Sequence, residues 1–305
     1  MSDADAVIPA YSLESAVLKL SEVPSLKDMS ADWAFGGATG AGVRVAVIDS
    51  GIEADHPDLG NCVEVASGVA VELDAEQNPI VVGGPHDDLF GHGTACAGII
   101  HSLAPEARIT SVRVLDRRLQ GKANVFLRGL EWAIDSGFDV INLSLSTKRH
   151  DLSLAFYEAC DRAYFSNSVI VAAANNANAP GYPSMFASLI SVACSLTTDP
   201  FRYHYNPNPP TEFLARGINV EVAWKGAAHI VTTGNSFATP HMAGFAALVR
   251  SKHPLLRPFQ VKTALWAAAA NVREAPRPAG RLSLVARRSR IAIPSVSVNR
   301  TTPPG

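Results

Sequence analysis

The apolar run at residues 43–48 constrains the fold of this chain more than any other feature. It reads V-R-V-A-V-I and is rich in β-branched residues, which is typical of a strand buried on both faces of a parallel sheet. Similar runs follow at residues 109–115, 139–145, 168–174 and 189–193. Strands of this kind, alternating with helices, predict right-handed crossovers and an α/β fold. Its central, mostly parallel sheet is expected to carry helices on both faces.

Helical patterns lie between several of these strands. Apolar residues recur at three- and four-residue spacing across residues 124–136, a segment that begins at a potential Asn124 cap and stops at Gly137. Further patterns cover residues 152–163 and 258–270. Because functional sites in parallel sheets gather at the carboxyl ends of the strands, we look for them there.

Composition predicts one large core with extensions at both ends. A chain of 305 residues with 47% hydrophobic content can bury a single core, and we assign it to residues 31–275. Residues 1–30 form a polar, alanine-rich N-terminal extension, and residues 276–305 form a basic tail rich in Pro and Arg. Residues 271–305 hold seven arginines against one acid. Such runs are usually solvated, so no nucleic-acid partner is expected.

Charge and cysteine usage favour a cytoplasmic protein without a membrane partner. No apolar run approaches the length of a membrane span, and the first residues are acidic where a secretory signal is basic. The four cysteines show no CxxC spacing. We therefore expect free, buried thiols rather than disulfides or a zinc site.

Residues 234–244 look like a nucleophile placed at the start of a helix. Ser236 follows Gly234 closely, and we expect Pro240 to lie within the first helical turn, where its missing N–H has no partner to lose. One apolar face is predicted for this helix, with the serine end meeting solvent or a cleft. The N–H groups and dipole of a helix N-terminus favour a developing negative charge. Because a serine in this position is more often only an N-cap, the stretch needs partners elsewhere.

Asp49 and His92 are the candidate partners. Asp49 ends the run at 43–48, so its carboxylate is expected in the crevice at the sheet edge; a ribose contact in a dinucleotide fold is disfavoured because no G-x-G-x-x-G follows. His92 lies between Gly91 and Gly93, where another group can approach its ring. A metal site joining residues 86–88 to His92 is the weaker alternative, because it lacks further ligands at a recognisable spacing.

Three segments, 45–51, 91–94 and 234–241, resemble the signatures of the subtilisin-like serine proteases. They read V-A-V-I-D-S-G, G-H-G-T and G-N-S-F-A-T-P-H, in that family's order of Asp, His and Ser. The resemblance covers most of the chain and implies a subtilisin-like three-layer fold, closest in style to the intracellular subtilisins. It also implies that residues 31–275 are the catalytic domain.

The resemblance implies a role for each site residue. Ser236 attacks the scissile carbonyl, His92 takes its proton and returns it to the leaving amine, and Asp49 orients the imidazole. The oxyanion is bound by the backbone N–H of Ser236 and the side chain of Asn176. These are the groups of an acyl-enzyme mechanism.

The family also binds its substrate as an added strand between two segments. The matching residues are Leu119, Gln120 and Gly121 on one side and Ser144, Leu145 and Ser146 on the other, with the walls of the primary pocket at Ala172, Ala173, Ala174 and Asn175. No acid lies near the pocket floor at residues 179–181, so an Arg or Lys pocket is disfavoured and an apolar side chain is expected. The expected partner is a peptide or unfolded protein in an extended conformation.

The sequence departs from the family pattern at several positions. Asn175 replaces a glycine, and Asn235 replaces a threonine thought to support the oxyanion. Ser146 and Thr147 replace a Gly-Gly pair, which predicts either a narrower primary pocket or a restricted approach of the substrate backbone. Tyr182-Pro183 matches a position where the family has a cis peptide bond, which proline permits.

No cofactor or metal is expected. The loop that carries the family's tight calcium site is missing between residues 97–100 and Ala104, while a weaker calcium site is left open. Cys96 falls on the same helix face as His92 and is either a small core residue or a target for mercurials. Residues 7–11 resemble the short pro-segment of intracellular subtilisins, so we hypothesise that Ile8 and Pro9 lie across the cleft until removed.

The leading interpretation is an intracellular serine endopeptidase acting in peptide or protein processing. A peptide ligase or macrocyclase is the alternative within transfer chemistry, although the capping insertion of such relatives is not seen. A leader-peptide maturation protease is another alternative. A pseudoprotease that binds peptide without cleaving it is the non-enzymatic one, kept open by Asn175, Asn235 and Ser146. The oligomeric state is left open.

Overall fold

The computed structural model describes residues 29–177 and 179–273. Most of the predicted N-terminal extension, with the pro-segment hypothesis for Ile8 and Pro9, lies outside the described residues. The same holds for the basic tail at 276–305. The boundaries assigned to these two segments therefore stay predictions.

A twisted sheet of nine strands forms the centre of the described chain. The strands are β1 (Arg44–Asp49), β2 (Val69–Leu73), β3 (Pro79–Gly83), β4 (Arg108–Arg113), β5 (Val140–Leu143), β6 (Val169–Ala173), β7 (Ile190–Ser195), β8 (His204–Tyr205) and β9 (Phe213–Arg216). Their order across the sheet is β3-β2-β4-β1-β5-β6-β7-β9-β8. The seven inner strands are parallel, and the two edge strands β3 and β8 run antiparallel to their neighbours. A separate antiparallel ribbon joins β10 (Val220–Trp224) and β11 (Ala228–Thr232).

Helices cover both faces of this sheet. They are α1 (Ala31–Phe35), α2 (His92–Leu103), α3 (Ala123–Asp135), α4 (Ser153–Phe165), α5 (Asn235–Lys252), α6 (Pro258–Ala268) and α7 (Ala270–Arg273). Alternate residues of β1 point to opposite faces. Val45 and Val47 join a core with α2 and α5, whereas Ala46 and Ile48 join a second core with α3 and α4. The predicted three-layer α/β fold is confirmed.

The structure corrects two details of the predicted helices. Helix α3 begins at Ala123 after Lys122, so Asn124 is not its cap; its Oδ1 accepts from the N–H of Val125 at 3.0 Å. Helix α5 does not have one apolar face, because 15 of its 18 residues are buried. It is a central helix packed between the sheet and α2, so the spacing of its apolar residues does not indicate which face contacts the sheet.

The cysteines and the membrane prediction can also be compared with the structure. Cys62, Cys96 and Cys160 are free and buried, and Cys194 is free and half-buried. Within residues 29–177 and 179–273, no helix is both long enough and apolar enough to cross a membrane.

Candidate active site

The predicted site residues gather at the carboxyl edge of the sheet. Asp49 ends β1, Ser144 follows β5, and Ala174 follows β6. These three strands are neighbours, and β4, which leads into the loop with Leu119, lies on the other side of β1. Four adjacent strand ends therefore supply the site, as the parallel topology predicts.

Asp49 and His92 form a buried, hydrogen-bonded pair. His92 Nδ1 lies 2.9 Å from Asp49 Oδ1 and 2.8 Å from Oδ2, and the two side chains are 5% and 0% exposed. Because a carboxylate only accepts, Nδ1 carries the proton, which leaves Nε2 of the neutral ring as an acceptor. Burial is the largest single influence on the pKa of His92 and lowers it. The negative charge of Asp49, its hydrogen bond to the ring and the neighbouring Cys96 together outweigh burial and hold this pKa well above its usual value of 6.5.

Glycines on both sides of His92 bring the pair together. Gly91 precedes α2 with a φ of 119°, a conformation that favours glycine. A Cβ atom on Gly93 would lie 2.0 Å from the carbonyl oxygen of Gly51. Only a glycine at 93 therefore lets the loop after β1 approach the start of α2, which is the approach that the sequence predicted.

Asp88 holds the loop after β1 and the start of α2 together, a role that was not predicted. Its Oδ1 accepts from Ser50 Oγ and from the N–H of Gly91, both at 2.8 Å. Its Oδ2 accepts from the N–H and the hydroxyl of Thr94 at 3.0 and 2.6 Å. A carboxylate close before a helix start is favoured by the helix dipole, and this signal was available in the sequence. Asp88 thereby links the end of β1 to the helix of His92.

The alternative metal site around His86 is not formed. His86 Nε2 lies 2.8 Å from Ser111 Oγ, away from the ring of His92. Within the described ranges, the one group of three or more His, Cys, Asp or Glu side chains whose ligand atoms all lie within 4.8 Å of one another is Asp49, His92 and Cys96. The imidazole and the carboxylate there are already bonded to each other, so a cation would have to break that hydrogen bond.

A hydrogen bond from Ser144, at the end of β5, holds the backbone of Ser236, and Pro240 makes this bond possible. Pro240 lies inside α5, so the expectation that it belongs to the first turn was wrong. Because proline has no N–H, the carbonyl of Ser236, four residues earlier, loses its helical donor. The Ser144 hydroxyl replaces it, donating to Ser236 O at 2.9 Å, and itself accepts from Asn142 Nδ2 at 3.0 Å. Pro240 interrupts the helical hydrogen bonds and thereby leaves the Ser236 carbonyl to the hydroxyl that positions this serine.

Ser236 also lies beside His92. The ring of Phe237 packs against the imidazole with 5.1 Å between centroids, and Cys96 Sγ lies 3.8 Å from Ser236 O and 3.9 Å from His92 Nδ1. Within residues 29–177 and 179–273, no hydrogen bond joins Ser236 Oγ to the imidazole; such bonds often tighten only when substrate binds. The Ser236 N–H, in the first turn of α5, has no acceptor within the helix.

Asn235 holds the segment that carries Asn176. Its Oδ1 accepts from the N–H of Cys194 at 2.9 Å, and its Nδ2 donates to the carbonyls of Ala174 and Asn175 at 3.1 and 3.4 Å. The N–H of Asn235 donates to Asn176 Oδ1 at 3.0 Å. With its oxygen held in this way, the Asn176 amide keeps Nδ2 as a donor that no acceptor among residues 29–177 and 179–273 engages. The side chain of Asn235 is itself occupied by backbone groups.

The predicted substrate segment after β4 is partly closed on itself. The N–H of Asp116 donates to Gln120 O at 2.8 Å, and the N–H of Gln120 donates to Asp116 Oδ1 at 2.9 Å. The main-chain groups of Gln120 are therefore occupied within the loop, and the N–H of Leu119 also donates to Asp116 O at 3.0 Å. The carbonyl of Leu119, a residue with a φ of 57°, and the backbone of Gly121 keep the capacity to pair with a substrate. A cavity of about 440 Å³ separates Gly121 from Thr147 on the opposite segment.

The opposite side of the cleft follows β5 and β6. Leu145 and Ser146 are half-buried, as are Ala174 and Asn175. Ala172 and Ala173 are 0% and 4% exposed, and Ala172 belongs to the core under α3 and α4. Its side chain therefore does not face the cleft as a wall residue. The accessible wall begins at Ala174.

Thr147 and Tyr182 connect the two sides of the predicted primary pocket. The N–H of Thr147 donates to Tyr182 O at 2.9 Å, and the N–H of Tyr182 donates to Thr147 O at 2.8 Å. The Tyr182–Pro183 peptide bond is cis, which confirms that prediction. A second cis bond, Pro209–Pro210, was not predicted.

The stretch where the family's calcium loop is expected is a continuous helix. Helix α2 runs to Leu103, and Ile99 and Ile100 are buried within it. The side chains of residues 97–103 include no carboxylate. Because calcium takes oxygen ligands, these residues do not fit that ion.

Comparison with known proteins places this geometry in context. A family model described as "Subtilase family" matches residues 40–283. Subtilisin E of Bacillus subtilis (strain 168) is 35% identical over 244 residues, which cover 75% of this chain and 61% of that protein. The chain therefore spans 61% of the length of subtilisin E. Subtilisin of Bacillus pumilus is 34% identical over 244 residues, which cover 75% of this chain and 84% of that protein.

Solved structures show the same fold. A cold adapted subtilisin-like serine proteinase superposes with a TM-score of 0.62 at 25% identity, covering 78% of this chain and 87% of that one. A psychrophilic protease superposes with a TM-score of 0.65 at 25% identity, covering 78% and 88% of the two chains.

Proposed function

The chain belongs to the subtilase family, and from this premise we propose that it is a serine endopeptidase whose triad is Asp49, His92 and Ser236. The observation that carries the proposal is the buried Asp49–His92 pair, bonded at 2.8 and 2.9 Å, beside a serine in the first turn of α5. A neutral imidazole whose Nδ1–H is held by a carboxylate has Nε2 available as a base. This is the arrangement that serine activation requires.

The reaction proceeds through an acyl-enzyme. Ser236 Oγ attacks the scissile carbonyl carbon while His92 Nε2 takes its proton, and the imidazolium is stabilised by Asp49. The C–N bond then breaks as His92 returns the proton to the leaving amine. Water attacks the ester with the same histidine as base, releasing the acid and restoring Ser236.

The oxyanion is stabilised by two donors fixed before the reaction. One is the N–H of Ser236, and the other is Nδ2 of Asn176, whose oxygen is held by the N–H of Asn235. Donors fixed in this way need no reorganisation when the negative charge develops. The positive end of α5 adds to the same field.

The substrate is a peptide or unfolded protein that binds as an extended strand. The carbonyl of Leu119 and the backbone of Gly121 pair with it on one side, and Leu145 and Ser146 pair with it on the other. The cavity of about 440 Å³ between Gly121 and Thr147 supports this placement. Main-chain pairing of this kind gives affinity with little dependence on sequence.

Activity is expected to be independent of calcium at the position of the family's tight site. Helix α2 offers no carboxylate there between residues 97 and 103. Dialysis against a chelator should therefore leave the midpoint of thermal unfolding and the activity unchanged. A drop in either that added calcium restores would indicate a site elsewhere.

The decisive experiment is labelling with a fluorophosphonate followed by mapping of the adduct. We expect the adduct on Ser236, no labelling of Ser236→Ala, and normal labelling of the control Ser166→Ala. Ser166 lies between α4 and β6, at the amino ends of the strands and therefore away from the site. A folded protein that remains unlabelled would favour the peptide-binding alternative. Product masses from a peptide library, with and without added amine nucleophiles, then separate hydrolysis from ligation.

A further inference from the structure

We propose that the primary specificity pocket is closed by Ser146 and Asn175, so that the enzyme accepts only a small side chain, Gly, Ala or Ser, immediately before the scissile bond. The proposal rests on the proposed peptidase function and names its substrate class. It replaces the apolar side chain of unspecified size expected from the sequence with a small one. The observations concern the place where Ser146, Asn175 and Gly181 meet.

The space above the pocket floor is already filled. A Cβ atom on Gly181 would lie 3.0 Å from Asn175 Cβ, 3.1 Å from Ser146 Oγ and 3.3 Å from Ser146 Cβ. Gly181 itself is buried. Both walls therefore contact the floor: even a methyl group added to Gly181 itself would require one of them to shift by a few tenths of an ångström.

Backbone hydrogen bonds hold the walls in this position. The paired bonds between Thr147 and Tyr182, at 2.9 and 2.8 Å, hold the residue after Ser146 against the residue after Gly181. The floor is fixed by Ser184 Oγ, which donates to Gly181 O at 2.9 Å. The pocket therefore stays closed through these backbone bonds and does not depend on the rotamer of Ser146.

The second wall is held just as firmly. Asn175 Oδ1 accepts from the N–H of Ala177 at 3.0 Å, and the carbonyl of Asn175 accepts from Asn235 Nδ2 at 3.4 Å. Moving Asn175 aside would break both bonds and disturb the segment that carries Asn176. A large substrate side chain could therefore enter only by breaking these hydrogen bonds.

The consequence is a ranking of substrates by size. A pocket discriminates by roughly 10- to 200-fold for each methylene that it cannot accommodate. In a peptide series that varies only at the residue before the scissile bond, we expect kcat/KM for Ala to exceed that for Phe by at least about tenfold. Lys and Arg gain nothing either, because residues 172–183 contain no acid to pair with them.

The test enlarges the pocket rather than damaging it. Ser146→Gly and the double variant Ser146→Gly/Asn175→Gly remove the side chains that cover Gly181. We expect the Phe/Ala ratio of kcat/KM to rise by about tenfold or more, with the larger rise in the double variant. Ser166→Gly, the same replacement at the far edge of the sheet, should leave the ratio unchanged.

The result separates this inference from the proposed function. If the wild type cleaves the Phe peptide as well as the Ala peptide, or if neither variant changes the ratio, the pocket is not closed and the inference is wrong. If no peptide is cleaved and Ser236 does not react with the fluorophosphonate, the proposed function fails instead.

Discussion

Replacement of Asn235 by alanine tests how the oxyanion donor is positioned. Asn235 is buried, and its side chain joins one backbone group of β7, at Cys194, to two in the segment after β6, at Ala174 and Asn175. It does not point a donor at the substrate. Its expected contribution to catalysis is therefore indirect, through the placement of Asn176.

The magnitude follows from the bonds that are lost. Asn235→Ala removes two bonds of good length, at 2.9 and 3.1 Å, and one longer bond at 3.4 Å. A typical bond contributes about 0.5–1.5 kcal/mol, and leaving the N–H of Cys194 without a partner adds about 1–3 kcal/mol. We expect the free energy of unfolding to fall by about 2–4 kcal/mol. Displacement of Asn176 should lower kcat by about 10- to 100-fold.

The assay combines urea unfolding with steady-state kinetics. We expect kcat to fall while KM changes little, because the oxyanion donor acts on the transition state more than on bound substrate. Asn271→Ala is the matched control, since Asn271 also bonds the backbone N–H and carbonyl of one residue, Tyr205, but on edge strand β8. Its stability should fall while its kcat stays unchanged. If Asn235→Ala lost stability but kept the wild-type kcat, the positioning argument would be refuted.

Three further predictions concern titratable groups. Because the pKa of His92 lies well above 6.5 and the neutral ring is the base, kcat/KM should rise with pH through a value above 6.5; a rise completed below 6.5 would contradict this. Burial raises the pKa of the Cys96 thiol, so mercuric ion should inhibit slowly and Cys96→Ser should abolish the inhibition. Equal sensitivity of that variant would contradict this and assign the inhibition to another cysteine. Burial lowers the pKa of His241 to about 4, so the unfolded state takes up the proton first as the pH falls. Unfolding measurements should show a loss of roughly 3 kcal/mol between pH 6.5 and 4 that is absent in His241→Asn.

The fold was predictable because the inner strands carry their pattern locally. A strand buried on both faces is apolar at nearly every position, so β1 and β4 to β7 are visible as runs in the sequence. The edge strands β3 and β8 and the inner strands β2 and β9 are short or partly exposed, and ribbon β10–β11 is equally weak in pattern. Helix α5 is buried on all sides, so its residues show no periodic face from which its orientation can be predicted.

The site was predictable only where a motif is local. Asp49, His92 and Ser236 each lie in a short segment whose glycines or helix start are visible in the sequence. The supports of these residues come from distant segments. Asp88 bonds two segments at once, and Ser144 reaches the Ser236 carbonyl only because Pro240 leaves it free. Such partners depend on the packing of β5 against α5, which no single window of sequence contains.

The departures from the family pattern form one connected structure rather than separate defects. Asn235, in place of a threonine, bonds the carbonyl of Asn175, which stands in place of a glycine. Asn175 in turn meets Ser146, the third departure, over Gly181. Taken singly, each substitution kept open a protein that binds peptide without cleaving it. Asn235 bonds Asn175, Asn175 and Ser146 lie against the same floor, and the N–H of Asn235 holds the Asn176 amide in place. The three residues are therefore better explained as a change in the size of substrate accepted than as loss of the reaction.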